Sequence, residues 1–175
     1  ATQPNGTNIN YECGSTNTDK LAKKVIEAKA DIGIALDGDG DRLAVIDEKG
    51  KLVNGDQILA LLAIEMSKNK KLKNNKVVGT SMANMGLETL LKKHKIDLIR
   101  AKVGDRYVKE KMISEDLNLG GEQSGHIILR DFTSSGDGVV VALQVLSILS
   151  REKEKASDYL HLFSPLPQNL INFEI

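Results

Sequence analysis

The chain has 175 residues, 41% hydrophobic and 27% charged, and its 24 Lys plus Arg equal its 24 Asp plus Glu. That length holds one well-buried domain and part of another but not three or four, and the composition excludes a disordered or fibrous chain. A net charge of zero leaves no global field toward nucleic acid or an anionic membrane, so any electrostatics that matter must be local.

Residues 1–10 are polar, without an initiator Met and without the basic-then-apolar layout of a signal peptide. The chain is therefore expected to be cut from something longer. No apolar run reaches membrane-spanning length. Cys13 is the single cysteine, so no internal disulfide can form and a reducing compartment, the cytoplasm, is expected.

In chain order, Leu21, Ala22, Val25, Ile26 and Ala28 fall at helical spacing across 19–29. Two apolar runs, 32–36 and 43–47, read as strands around the acidic stretch Asp37-Gly38-Asp39-Gly40-Asp41-Arg42. A turn at 48–50 precedes a mostly buried helix over 56–68. There follow a strand at 77–80, a helix at 87–94, a strand at 98–101 and a helix at 107–114. Short strands at 117–121 and 127–129 flank Glu122-Gln123-Ser124-Gly125-His126, and a long apolar helix runs over 137–149. Pro165 and Pro167 mark a connector leaving the domain. Alternating strands and helices predict an α/β fold.

The acidic loop carries the strongest chemistry. Asp37, Asp39 and Asp41 alternate with glycines that supply positive φ at little cost, so three carboxylates can turn toward one point. They repel one another unless a hard divalent cation accepts their oxygens, and Mg²⁺ would keep positions open for a phosphate oxygen. An acidic surface turn is the plain alternative. Asp37, Asp39, Asp41 and Glu48 also match positions one, three, five and twelve of an EF-hand, but Arg42 stands where that loop needs glycine and the flanks read as strands. Arg42 can orient the loop and pair with a phosphate, or merely balance charge.

These residues resemble the α-D-phosphohexomutase family: Asp37 to Arg42 is similar to its magnesium loop, and Gly120 to His126 to its sugar-recognition loop. Gln123 and the Val103-Gly104-Asp105-Arg106-Tyr107-Val108 stretch point to members acting on a phosphorylated hexosamine, with glucose and mannose phosphates as the alternatives. The resemblance implies a mixed sheet with helices on both faces. It implies that 1–30 ends a preceding α/β domain, 31–155 forms the metal- and sugar-binding domain, and 156–175 is an exit linker. The partners it implies are that sugar phosphate and the enzyme's flanking domains.

By the same resemblance the parent enzyme moves a phosphoryl group through a phosphoserine and a bisphosphorylated sugar. Asp37, Asp39 and Asp41 would hold Mg²⁺, Arg42 and His126 would serve catalysis, and Glu122, Ser124, Lys102, Asp105 and Arg106 would bind substrate. A packing role is the alternative for His126, and a surface ion pair for the last three. The family's Ser-His-Asn-Pro and Arg-Ser-Gly-Thr loops do not occur in the sequence. Turnover by this chain alone is therefore not expected, and a free-standing module binding a divalent metal or sugar phosphate is the second reading. The basic run 68–76 lacks the aromatics of a nucleic-acid surface and reads as a solvated helix end.

Overall fold

The computed structural model describes residues 3–169 and 171; the outermost parts of the expected preceding domain and exit linker lie outside the described residues. Helix α1 (Asp19–Ala28) ends where Lys29 takes a left-handed conformation and Ala30 N–H donates to Val25 O at 3.0 Å. Strands β1 (Ile32–Leu36), β2 (Leu43–Asp47) and β3 (Leu52–Val53) form an antiparallel sheet in that order. The acidic loop is thus the tip of the β1–β2 hairpin. The next turn is held by Asp47, whose Oδ1 accepts from Lys49 N at 2.9 Å and Lys51 N at 2.8 Å.

Helix α2 (Gly55–Lys68), capped by the Asn54 side chain on Gln57 N, leads to the second sheet. Strand β4 (Lys76–Thr80), helix α3 (Met85–Lys93), strand β5 (Asp97–Ala101), helix α4 (Asp105–Ser114), strand β6 (Leu119–Gly121) and strand β7 (Ile127–Leu129) follow. The sheet order is β5-β4-β6-β7, parallel but for the β6–β7 hairpin, so it is mixed as expected. Its two faces separate by the strand period of two. Val77, Leu119, Ile127 and Leu129 join the core made with α2, whereas Val78 and Ile128 pack with Val108 and Met112 of α4. Helix α5 (Gly138–Glu152) packs beside α2, and Leu43, Val45 and Val53 of the first sheet share that larger core.

Short helix α6 (Ala156–Tyr159) follows, and Ala156 and Leu160 are buried. The stretch expected to leave the domain is exposed from residue 164 to 169 yet stays hydrogen-bonded to the domain as far as Gln168. His161 Nε2 lies 2.8 Å from Asp47 Oδ2, the Gln57 amide pairs with Leu162 N and Phe163 O, and the Asn84 amide pairs with Leu166 N and O.

On α3, Glu88 accepts from Lys92 at 2.8 Å and from Arg100 of β5 at 3.0 Å, and these two cations hold its carboxyl below its ordinary value of 4.5. Because the folded value lies below the unfolded one, this stabilisation is present above about pH 4.5 and is lost as pH falls through the folded value. Glu88→Gln is expected to cost about 1 kcal/mol near pH 7. In thermal melts the gap from wild type is expected to narrow as pH falls below about 4.5.

Candidate functional site

Two hairpin tips from different sheets meet at the site. Leu43 N–H donates to Gly125 O at 3.1 Å, Arg42 and His126 form an antiparallel bridge, and His126 Nδ1 lies 3.0 Å from Asp41 Oδ2. The start of α5 backs the acidic tip, with Gly138 N–H donating to Gly40 O at 2.8 Å. The start of α2 backs the other, with Gly55 N–H donating to Gln123 O at 3.1 Å. His126 is 3% exposed, and its ring fits because residue 136 is glycine: a Cβ there would stand 2.5 Å from its Cε1.

The carboxylates of Asp37, Asp39 and Asp41 each place an oxygen within 4.8 Å of the others. Opposite ligands of a bound Mg²⁺ stand about 4 Å apart and those of Ca²⁺ about 5 Å apart, so the cluster fits a hard cation of either size after small side-chain rotations. Asp41 Oδ1 is buried without a hydrogen-bond partner, an orphan acceptor that a cation would satisfy. Burial pushes the Asp41 carboxyl above its ordinary value, His126 pulls it down, and hydrogen bonding and charge from Asp37, with the charge of Asp39, push it up again. Arg42 limits the repulsion: its N–H donates to Asp37 Oδ1 at 3.1 Å, and its Nε stands 3.7 Å from Asp37 Oδ2 and 3.9 Å from Asp41 Oδ1.

A cavity of about 470 Å³ opens beside this cluster, and Asp41, Arg42, Asp105, Glu122, Ser124 and His126 are among its lining residues. Glu122 Oε1 accepts from Gly104 N at 2.9 Å, tying the β6–β7 tip to the loop before α4. Four expected residues are not part of the lining: Asp37 and Asp39, which belong to the carboxylate cluster beside it, and Lys102 and Arg106. Lys102 Nζ sits 5.8 Å from the Tyr107 ring centroid, and the Arg106 side chain is 81% exposed and bonded to Glu110 at 2.8 Å. The wall also includes Val103, from the stretch that carried the resemblance, and Thr80 and Met82, which sequence reasoning did not single out. Their signal is topological. Thr80 ends the parallel strand β4 and Met82 follows it, at the carboxyl edge where open α/β sheets bind ligands.

Two hairpin tips thus bring three carboxylates and a Glu-Gln-Ser tip together beside one cleft at the carboxyl edge of an α/β sheet. The chain belongs to the phosphoglucomutase/phosphomannomutase family: residues 54–166 match its alpha/beta/alpha domain III and residues 1–50 its alpha/beta/alpha domain II. The acidic tip therefore falls in the domain II match and the Glu122 tip in the domain III match. The two matches meet between residues 50 and 54, later in the chain than the boundary expected after residue 30.

The chain is 54% identical over 172 residues to the phosphoglucosamine mutase of Chelativorans sp., covering 98% of this chain and 38% of that protein. It is 55% identical over 169 residues to the phosphoglucosamine mutase of Zymomonas mobilis, covering 97% and 38%. Among solved structures it resembles a phosphoglucomutase/phosphomannomutase family protein from Burkholderia thailandensis, with a TM-score of 0.76 and 28% identity over 86% of this chain and 32% of that one. The fold is also that of Aspergillus fumigatus N-acetylphosphoglucosamine mutase, solved with GlcNAc-6P and magnesium (TM-score 0.72, 23% identity, 95% of this chain and 42% of that one).

Proposed function

We propose that this chain is the metal-holding and sugar-holding part of a phosphoglucosamine mutase, an intramolecular phosphotransferase that interconverts glucosamine 6-phosphate and glucosamine 1-phosphate with Mg²⁺. The observation that carries the reading is the closure of the Asp37–Arg42 tip onto the Glu122–His126 tip beside one cleft. The identity to bacterial phosphoglucosamine mutases supports it. The chain spans 38% of those proteins, so the phosphoserine and the remaining phosphate contacts are assigned to other parts of the enzyme.

When bound, the cation would neutralise negative charge that builds on the transferring phosphoryl group. Asp37, Asp39 and Asp41 are assigned to hold it. Arg42 stands beside the Asp37 and Asp41 carboxylates and is assigned to offer its guanidinium to a phosphate. Glu122, fixed by Gly104, accepts from a sugar hydroxyl, whereas Ser124 can donate or accept. His126 orients Asp41 through Nδ1. Asp105 is assigned to the substrate wall, and Lys102 and Arg106 reach it only if their side chains swing inward.

The site lies at a junction, with the domain boundary assigned to the 50–54 segment. Among the described residues no helix is long and apolar enough to cross a membrane; on the separate ground of its single cysteine, Cys13, we assign the enzyme to the cytoplasm. The test assays the full-length enzyme with Mg²⁺ on glucosamine, glucose and mannose 6-phosphates. The highest kcat/KM is expected for glucosamine 6-phosphate, and a preference for either other sugar moves the assignment to a sibling mutase. Inactivity on all three overturns it.

A further inference from the structure

The β4–α3 loop, residues 81–84, contributes Met82 to the lining of the cleft beside Thr80, and neither side chain is charged. What distinguishes it is how completely its backbone is held. Arg100 Nη1 donates to Thr80 O at 3.2 Å, Ser81 O at 3.4 Å and Ala83 O at 2.9 Å. Of the other two carbonyls, Met82 O accepts from Gln168 Nε2 at 3.2 Å and Asn84 O from Leu87 N at 3.0 Å. The N–H groups are assigned too: Ser81 to Ala101 O, Met82 to Thr80 Oγ1, Ala83 to Thr80 O and Asn84 to Asp56 Oδ2. Glu88 holds Arg100 from behind at 3.0 Å.

A four-residue surface loop ordinarily satisfies such groups with water and moves accordingly. Here Nη1 of one guanidinium gathers three carbonyls while Nη2 is held by Glu88, a two-ended geometry that lysine, a single compact charge on a flexible stem, does not reproduce. Met82 is 36% exposed and lines the same cavity as Thr80, Asp41 and Glu122. Resting on the mutase reading, we propose that Arg100 is a positioning residue for the substrate: it fixes the Thr80–Met82 wall against which the sugar phosphate is seated, and Gln168 completes the clamp.

The test uses the full-length enzyme at saturating Mg²⁺. Arg100→Lys and Arg100→Met are expected to raise KM for the sugar phosphate about tenfold while kcat changes less than about threefold, since a displaced wall loosens seating without touching the phosphoryl-transfer groups. Gln168→Ala, at an exposed position, is expected to raise KM about threefold, and it decides the matter if an Arg100 variant fails to fold. Lys92→Ala, which removes only the outer partner of Glu88, leaves both constants unchanged.

A purely structural role would lower the melting temperature and the amount of active enzyme but leave KM where it was. Unchanged KM in Arg100→Lys and Gln168→Ala overturns the proposal. Hydrogen exchange at Ser81–Asn84 needs no substrate, so it separates this failure from that of the mutase reading. The wild-type amides are expected to be protected and those of Arg100→Lys exposed, even if the enzyme turns over none of the sugars tried; rapid exchange in wild type removes the clamp altogether.

Discussion

In the full-length enzyme, Asp41→Asn is expected to lower kcat by about 10²–10³-fold while leaving the fold intact, because it removes one charged ligand from a preorganised electrostatic site. The stability effect has the opposite sign to a usual buried-charge loss. Burial and the neighbouring carboxylates already push the Asp41 carboxyl up, so in the metal-free protein the ionised form is disfavoured. An amide at position 41 removes that repulsion, and its oxygen can still face His126. The melting temperature in EDTA is therefore expected to match or exceed that of wild type. Adding Mg²⁺ should raise the wild-type value by mass action and leave the Asp41→Asn value nearly unmoved. Kinetics and melts together check this; full activity in Asp41→Asn, or an equal Mg²⁺-dependent rise in both proteins, removes the metal assignment.

The acidic tip was legible because everything that makes it is local. Three aspartates, two glycines and the flanking apolar runs fall within a short hairpin, so spacing alone put the carboxylates together. Each long helix was legible from its apolar stripe, with ends displaced by a residue or a few, as when Gly138–Glu152 exceeded the expected 137–149. Strand β3 has two residues and α6 four, too few for either periodicity to register.

What sequence could not supply was the meeting of distant pieces. Asp41 and His126 are 85 positions apart, Asp47 and His161 114 apart, and no local rule joins them. The same gap misdirected the expectation for Arg106. It follows Asp105 directly, but on a helix one step turns the side chain by about 100°, so Asp105 lines the cavity while Arg106 pairs with Glu110 in solvent. The Arg100 clamp was hidden for another reason. An arginine in a strand reads as a solvated face until the carbonyls around it are located.

Gly125→Ala is expected to be the most damaging single-methyl change at this site. Gly125 has φ +92°, and a Cβ there would stand 2.1 Å from Leu43 O and 3.0 Å from Leu43 C. Those are backbone atoms at the start of β2, and Leu43 is 1% exposed, so the contact cannot be relieved by rotating a side chain. Either the β6–β7 tip lifts from the β1–β2 tip, breaking the Leu43–Gly125 hydrogen bond, or β2 shifts within the core. Overpacking and backbone strain together suggest a cost of about 3 kcal/mol or more, or roughly 6–12 °C in melting temperature for a chain of this size.

Gly40→Ala provides the comparison, because Gly40 also has a left-handed φ, +75°, but a Cβ there would meet nothing within 4 Å. Its cost is conformational only, about 1 kcal/mol. If thermal melts of the two variants differ by this margin, the excess at Gly125 measures how tightly the hairpins are pressed together. If they fall equally, backbone conformation alone explains both, and the contact between the two tips is looser than 2.1 Å implies. The Asp41–His126 contact spans the same junction, so a Gly125→Ala protein that still folds should bind Mg²⁺ more weakly, although every carboxylate ligand remains in place.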